Sequence, residues 1–290
     1  MKSFVLALSL VAAAVHAEAS LPRPDHIVIV IEENKSLGDV IGSKNAPYLN
    51  ALARRGAVLT NFTSEHHPSQ PNYLELFAGA SLGVCDDSCI QTPFTAPNLG
   101  AALLATPGRS FAGFAEDLPK KPVCDLNSFA KRHCPWTDFA NVPPSATQDF
   151  SKFPRDFRKL PTVSIVIPDL IHDMHDGETV AAEVRAGDRW MRAKLAAYAR
   201  WAETHNSLLI VTWDEDSDEK YKLRCPGPPI ITTAPENHIP TIIAGQHVKR
   251  RSRSTAAYSH HDLLRTILDM YGIAPFAGAA SASDITDVWR

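Results

Sequence analysis

A continuous run of β-branched residues at Ile27–Ile31 constrains the fold of this chain more than any other feature. The run lacks the polar alternation of a strand with one solvated face. It therefore indicates a strand buried on both sides, as in a parallel sheet covered by helices. Further apolar runs at Val163–Ile167, Leu208–Trp213 and Thr241–Ala244 predict three more strands.

Amphipathic segments alternate with these strands and predict helices at Pro47–Arg55, Arg185–Glu203 and His260–Tyr271. Strands that alternate with helices are typical of an α/β fold with a mostly parallel central sheet flanked by helices. The segment Val84–Pro154 is instead rich in proline, cysteine and aromatic residues and shows no periodicity. We expect it to form an irregular cap segment over the sheet.

The first residues of the chain have the pattern of a secretory signal peptide. Lys2 precedes an apolar stretch at Phe4–Val15, and Val15-His16-Ala17 is suited to cleavage. An N-terminal membrane anchor is the alternative, but the apolar stretch is short for a bilayer crossing. We therefore expect a signal peptide over residues 1–17, a mature domain over residues 18–290, and a secreted or periplasmic protein. No later stretch is long enough to predict a transmembrane segment.

The formal net charge of −3 gives no general attraction to nucleic acids or anionic membranes, so no nucleic-acid binding is expected. Lys249–Arg253 is the one basic cluster, and we interpret it as a solvated loop before the last helix.

Five cysteines follow the predicted cleavage site. An exported chain can form disulfides, and proximity in the sequence predicts Cys85–Cys89 and Cys124–Cys134, with Cys225 free or paired elsewhere. A structural zinc site is the alternative, but the spacing lacks the paired Cys-x-x-Cys pattern of such sites.

Acidic residues follow three of the predicted strands, in the segments Glu32–Asn34, Asp169–Asp176 and Asp214–Asp216. The carboxyl ends of parallel strands share one edge of a sheet, where ligands commonly bind. Carboxylates gathered there would repel one another, and a divalent cation removes that repulsion. The three segments together predict a metal site, although any one of them alone could be a solvated loop end.

Ser69 lies at the predicted start of a helix, within the segment His66–Tyr73. A serine at this position can simply cap the helix. The same position also attracts anions through free backbone N–H groups and the helix dipole, and a nearby cation can turn the hydroxyl group into a nucleophile. Asn72 could donate its amide to a phosphoryl oxygen.

Six motifs occur in a characteristic order between Ile27 and Ile267: Ile-Glu-Glu-Asn, His-Pro-Ser-x-Pro-Asn-Tyr, Arg-His-x-Pro, Asp-Met-His-Asp, Trp-Asp-Glu-Asp and His-x-x-Leu-Leu-Arg-Thr. Together they resemble the phosphoesterase family of bacterial-type acid phosphatases and phospholipases C. That family is similar in fold to the alkaline phosphatase superfamily, in which a serine or threonine before a short helix attacks phosphorus.

The resemblance implies roles for particular residues. The implied metal ligands are Glu33, Asn34, Asp214 and Glu215, with the Ser69 hydroxyl group facing the metal. His133 and His175 would contact the phosphoryl group or protonate the leaving oxygen, and Asp173 and His260 are further candidate ligands or supporting partners. Three positions depart from the family pattern and leave the substrate and a second metal open: Lys35, Asp169 and His261.

These observations predict a phosphomonoesterase of acid-phosphatase type with a serine nucleophile. The oxygen-rich ligand set favours Ca²⁺, Mg²⁺ or Mn²⁺, and Zn²⁺ is left open. The substrate would be a small phosphoester or a phospholipid headgroup. A phosphodiesterase or phospholipase C on the same site is the nearest alternative. A serine hydrolase is disfavoured because Ser69 lacks a Gly-x-Ser-x-Gly motif, and a binding protein with an inactive site is disfavoured because the set of candidate residues is complete.

Overall fold

A computed structural model describes residues 21–121, 123–217 and 237–290. The predicted signal peptide and Cys225 lie outside the described residues. The twelve strands of the described part are β1 (His26–Glu32), β2 (Ala57–Leu59), β3 (Phe62–Thr63), β4 (Phe111–Ala115), β5 (Asp125–Leu126), β6 (Phe129–Ala130), β7 (Thr147–Asp149), β8 (Val163–Ile167), β9 (Ser207–Trp213), β10 (Thr241–Gly245), β11 (Ser252–Ser254) and β12 (Tyr258–Ser259).

Six α-helices accompany these strands in the described part of the chain, together with several short 3-10 turns. The helices are α1 (Leu37–Val40), α2 (Pro47–Arg55), α3 (Ser69–Ala78), α4 (Leu99–Ala105), α5 (Val180–Ala202) and α6 (His260–Met270). None of them combines the length and the apolar composition that a bilayer crossing requires.

Eight strands form the central sheet in the order β11-β2-β10-β9-β1-β8-β4-β7. β1 lies between β8 and β9 and is parallel to both, with Ile29 opposite Ile165 on one side and Ile210 on the other. The predicted mostly parallel sheet is confirmed. Only β10 runs against its neighbours, and it is antiparallel to both β9 and β2.

The helices follow the predicted pattern, and only the start of α5 differs from its predicted position by more than one residue. α2 and α5 contact each other and the sheet, whereas α3 packs against α6. α5 begins at Val180, five residues before the predicted start, because the side chain of Thr179 accepts a hydrogen bond from the backbone N–H of Ala182 and caps the helix.

The segment Val84–Pro154 is only partly an irregular cap. It also supplies β4 and β7, which extend the central sheet beyond β8. The sequence does not predict the strand β4, because small residues interrupt its apolar pattern. One of them, Gly113, leaves room for the Trp136 ring, since an added Cβ would lie 2.0 Å from it.

Both predicted disulfides are wrong. Cys89 is bonded to Cys124, with 5.6 Å between the Cα atoms. Cys134 is a free thiol, fully buried, and burial raises its pKa. Cys85 is also disulfide-bonded. Proximity in sequence gave the wrong pairs because the chain returns at Cys124 to the loop that carries Cys89.

Candidate active site

The carboxyl ends of β8, β1 and β9 meet at one edge of the sheet and bring Asp173, Glu33 and Asp214 together. At most 1% of each of these residues is exposed. Backbone hydrogen bonds connect the loops that carry them, from the Glu33 N–H to the Asp173 carbonyl at 2.7 Å and from the Asp214 N–H to the Glu32 carbonyl at 3.1 Å. The parallel strands therefore gather the three carboxylates, as the sequence predicts.

Ser69 is the first residue of α3 and is buried beside these carboxylates. Its hydroxyl group donates a hydrogen bond to Oε2 of Glu33 at 3.0 Å. Nearby, the backbone N–H of Asn34 donates to Oδ1 of Asp214 at 3.0 Å. The predicted nucleophile and three of the predicted ligands thus lie within one cluster.

Several oxygen atoms of this cluster are suited to a cation. Among the described residues, Oδ1 of Asn34, Oδ2 of Asp173 and Oδ2 of Asp214 are buried without a hydrogen-bond partner. Burial, and then the charges of Asp214 and Asp173, raise the pKa of Glu33 well above its usual range. Burial likewise raises the pKa values of Asp173 and Asp214. Unpaired buried oxygens are costly unless a metal ion compensates them, so this donor set fits a divalent cation.

Glu33 also contacts an aromatic pair. The hydroxyl group of Tyr73 donates to Oε1 of Glu33, and the Tyr73 ring stacks on His133 with centroids 5.0 Å apart. Nε2 of His133 lies 3.2 Å from Oε1 of Glu33, and Nδ1 lies 3.4 Å from Oδ2 of Asp173. Burial, followed by the charges of Arg132 and His175, lowers the pKa of His133 well below its usual range. The lowered pKa favours the neutral form of the His133 imidazole.

His175 lies nearer the solvent, with 30% of its side chain exposed. Its ring centroid is 6.2 Å from that of His133. Nδ1 of His175 lies 2.7 Å from a carboxylate oxygen of Asp176, and its backbone N–H donates to Asp173 at 2.8 Å. The two predicted phosphoryl-contacting histidines are thus neighbours, one buried and one partly exposed.

Glu215, the last of the predicted ligands, faces His67. Its Oε2 lies 2.8 Å from Nδ1 of His67, whose other ring nitrogen is 3.5 Å from Asp216. Burial raises the pKa of Glu215 to about 8, against the opposing effect of His67. For His67, burial alone would lower the pKa, but the contact with Glu215 outweighs it and raises the value.

Two other predicted residues face the protein. The Asn72 side chain accepts from the His66 N–H at 2.7 Å and donates to the carbonyls of His66 and Pro68 at 2.8 and 3.3 Å. His260 contacts Glu65 through Nδ1 and the Trp213 carbonyl through Nε2, both at 2.9 Å. Both side chains have their polar atoms engaged and support the loops that carry Ser69 and Asp214.

Sequence reasoning missed the roles of Tyr73, His67 and Lys35. Tyr73 and His67 lie inside the motif that contains Ser69, so the motif itself was an available signal. Lys35 stands out in the sequence as a departure from the family pattern, but nothing in the sequence indicates its partners. Its ammonium group donates to the carbonyls of Asn34 and Met174 at 2.9 and 2.8 Å and lies 3.0 Å from Glu183, which fixes the loop after β1.

The fold is similar to that of a protein in the alkaline phosphatase superfamily from Vibrio parahaemolyticus, with a TM-score of 0.61 and 16% identity over 93% of this chain and 73% of that one. A putative sulfatase from Bacteroides thetaiotaomicron gives a TM-score of 0.60 and 14% identity over 91% of this chain and 74% of that one. The fold is therefore that of the alkaline-phosphatase-like superfamily.

The sequence model of the Phosphoesterase family matches residues 43–274, and the chain belongs to this family. A phosphatidylinositol-3-phosphatase from Mycobacterium tuberculosis is 42% identical over 98% of this chain and 92% of its own length. An acid phosphatase from Aspergillus fumigatus is 24% identical over 83% of this chain and 53% of its own, so the chain spans about half of that fungal relative. The protein is a phosphatase-type hydrolase of phosphoric esters, as its motifs predict.

Proposed function

We propose that this protein is a metal-dependent phosphomonoesterase in which Ser69 attacks phosphorus. The observation that carries the proposal is the hydrogen bond from Ser69 to Glu33 within a buried group of carboxylates. The capping position of α3 is occupied by Pro68, and Ser69 is the first residue inside the helix, so a capping role does not account for this serine.

Glu33, Asn34 and Asp214 would hold the cation, together with Ser69 and Glu215. When bound, a divalent cation supplies the positive charge that compensates the carboxylates and lowers the pKa of the serine hydroxyl group. Carboxylate and amide oxygens favour Ca²⁺, Mg²⁺ or Mn²⁺. Asp173 lies close enough to Glu33 and His133 to complete the group.

The residues of the chain then perform two steps. In the first, the Ser69 hydroxyl group loses its proton as its oxygen bonds to phosphorus, the ester P–O bond breaks, and the leaving oxygen takes up a proton, so that the number of protons on the reacting groups is unchanged. In the second, water attacks the phosphoseryl ester, releases inorganic phosphate and returns the proton to Ser69. Glu33 orients the hydroxyl group before the attack, which removes an entropic part of the barrier.

The two histidines suit different tasks. Neutral, buried His133 can donate one N–H to a phosphoryl oxygen, but it is not a strong acid. His175 lies beside it and is partly exposed to solvent, so we assign to it the protonation of the leaving oxygen.

The substrate proposal rests on the relatives. The name of the M. tuberculosis relative supports a phosphorylated inositol headgroup as one candidate, and the fungal names support small phosphomonoesters at acid pH. Secretion or a periplasmic location is supported by the disulfide Cys89–Cys124, because such bonds persist in oxidising compartments.

The test is to trap the serine. The protein would be mixed with a ³²P-labelled phosphomonoester and quenched in acid, and the labelled peptide would be mapped. In parallel, turnover of p-nitrophenyl phosphate and of its bis-ester would be measured with and without chelator. We expect label on Ser69, loss of turnover with chelator, and a fall of at least about 10³-fold in kcat for Ser69→Ala. Ser145→Ala, at an exposed site, is the matched control. An unlabelled Ser69 with near-native turnover in Ser69→Ala would mean that water attacks directly.

A further inference from the structure

A second pocket lies at the far edge of the sheet from the candidate active site. It has a volume of about 370 Å³ and is bordered by α2, the turn after α1, β2 and the edge strand β11. β11 is four strands from β1 in the sheet order, which corresponds to about 19 Å at the usual strand spacing. The volume falls within the range of small-molecule sites.

The lining of this pocket combines three arginines with a small apolar surface. Arg54, Arg251 and Arg253 line it, and no acidic residue does. Within the described ranges, none of the three forms an ion pair with a carboxylate. The buried side chains of Ala53 and Val58 form its apolar base. Three unpaired guanidinium groups beside an apolar base match an organic anion better than a cation or a neutral molecule.

The structure divides the basic cluster Lys249–Arg253 into two groups. Lys249 and Arg250 turn to the protein, where their side chains reach the Asp287 carbonyl at 3.0 Å and Glu203 at 3.8 Å. Arg251 and Arg253 turn to the pocket. Arg251 has a φ of 57°, in the left-handed region that disfavours residues other than glycine.

Two structural explanations account for part of this arrangement. A charged residue on a short edge strand hinders edge-to-edge aggregation, which would explain Arg253. An arginine in the last turn of a helix complements the helix dipole, which would explain Arg54. Neither explains why both side chains border one pocket with Arg251.

We propose that this pocket binds a phosphate-bearing organic anion at a site separate from Ser69. Guanidinium groups bind phosphate oxygens through paired, charge-assisted hydrogen bonds, and the apolar base would contact the carbon part of the ligand. The phosphate group could belong to a soluble metabolite or to a lipid headgroup.

Calorimetric titration with phenylphosphonate tests the site, because its P–C bond is not an ester and its ring suits the apolar base. The test variant is Arg54→Gln/Arg251→Gln/Arg253→Gln. We expect the wild type to bind one more phenylphosphonate per chain than this variant, or to bind phenylphosphonate in the arginine-lined pocket at least about tenfold more tightly. The control Lys152→Gln/Arg155→Gln/Lys159→Gln removes the same charge from other exposed positions and should match the wild type. Both variants should keep wild-type turnover of p-nitrophenyl phosphate.

Sedimentation with phosphatidylcholine vesicles, with and without phosphatidic acid, separates the two sources. Capture that needs phosphatidic acid and is lost only in the arginine variant identifies a lipid headgroup. Titration that loses a site in the arginine variant, without vesicle capture of the wild type, identifies a soluble organic phosphate. Equal phenylphosphonate binding by the wild type and the arginine variant overturns the proposal, and so does an equal loss in both variants.

Discussion

The hydroxyl group of Ser69 donates a hydrogen bond of 3.0 Å to Glu33, 36 residues earlier in the chain. The contact joins the first residue of α3 to the loop that follows β1. Glu33 also accepts a hydrogen bond from the hydroxyl group of Tyr73, which lies one turn further along α3. The end of one strand and the start of one helix thus form a single unit that holds the proposed nucleophile against the proposed metal ligands.

Asp214→Asn should lower the affinity for the divalent cation sharply and abolish most of the turnover. The substitution keeps the shape of the side chain but removes the negative charge from a proposed ligand. Because burial raises the pKa of Asp214, the charged form opposes folding, and the metal-free variant should be at least as stable as the metal-free wild type. Metal content after dialysis, calorimetric metal titration and thermal denaturation measure these effects. Asp188→Asn, at another buried aspartate whose pKa burial raises, is the control, and wild-type metal content in Asp214→Asn would contradict the ligand assignment.

Tyr73→Phe should reduce metal affinity or kcat by about 10- to 100-fold while leaving the fold intact. The variant removes the hydrogen bond to Glu33 but keeps the ring that stacks on His133. Tyr73→Ala removes both contacts and should be less stable as well as less active. Metal titration and steady-state kinetics of the two variants separate orientation of Glu33 from packing of His133. Wild-type behaviour of Tyr73→Phe would show that the hydroxyl group is dispensable.

Asn72→Ala should lower the free energy of unfolding by about 1–3 kcal/mol, because it leaves buried backbone groups of His66 and Pro68 without partners. Direct substrate binding by Asn72 remains a separate prediction of the sequence, and it would appear chiefly as a change in KM or kcat. Denaturant unfolding and kinetics on the same variant compare the two roles. A variant of wild-type stability with strongly impaired kinetics would favour the substrate role.

The buried pairs that join His260 and His261 of α6 to Glu65 and Glu75 should contribute most to stability between about pH 4.5 and 6.5. Burial alone would lower the pKa of His261, but the 2.6 Å hydrogen bond with Glu75 and the charge of Glu65 raise it to about 9. This contribution is complete below the unfolded pKa of about 6.5 and is lost as the pH rises through 9.

Glu65 affects stability at acidic pH. Burial alone would raise its pKa, but His260 lowers it to about 2, so its contribution is present above about pH 4.5 and is lost as the pH falls towards 2. Urea unfolding of the wild type and His261→Gln across pH 4–9 tests both statements. The free energy of unfolding of the variant should decline less above pH 6.5 than that of the wild type. An equal decline in both proteins would show that His261 does not cause it.

The sequence by itself determined the buried strands and the segments that surround the site. β1, β8 and β9 have continuous apolar runs, and the acidic residues that follow them must meet wherever such strands are parallel neighbours. The chemistry of the motif around Ser69 was equally visible, since the serine, the prolines and the helix start are local features.

Only the tertiary structure decided which side chains face the site and which support it. The Cys89–Cys124 bond, the partners of His260, and the contact between Tyr73 and Glu33 all join residues that are far apart in the sequence. The direction of β10 and the inclusion of β4 in the sheet depend in the same way on packing against distant residues. Local patterns fix the elements because burial depends on composition and period, whereas partners are fixed only when the folded chain brings distant side chains within hydrogen-bonding distance.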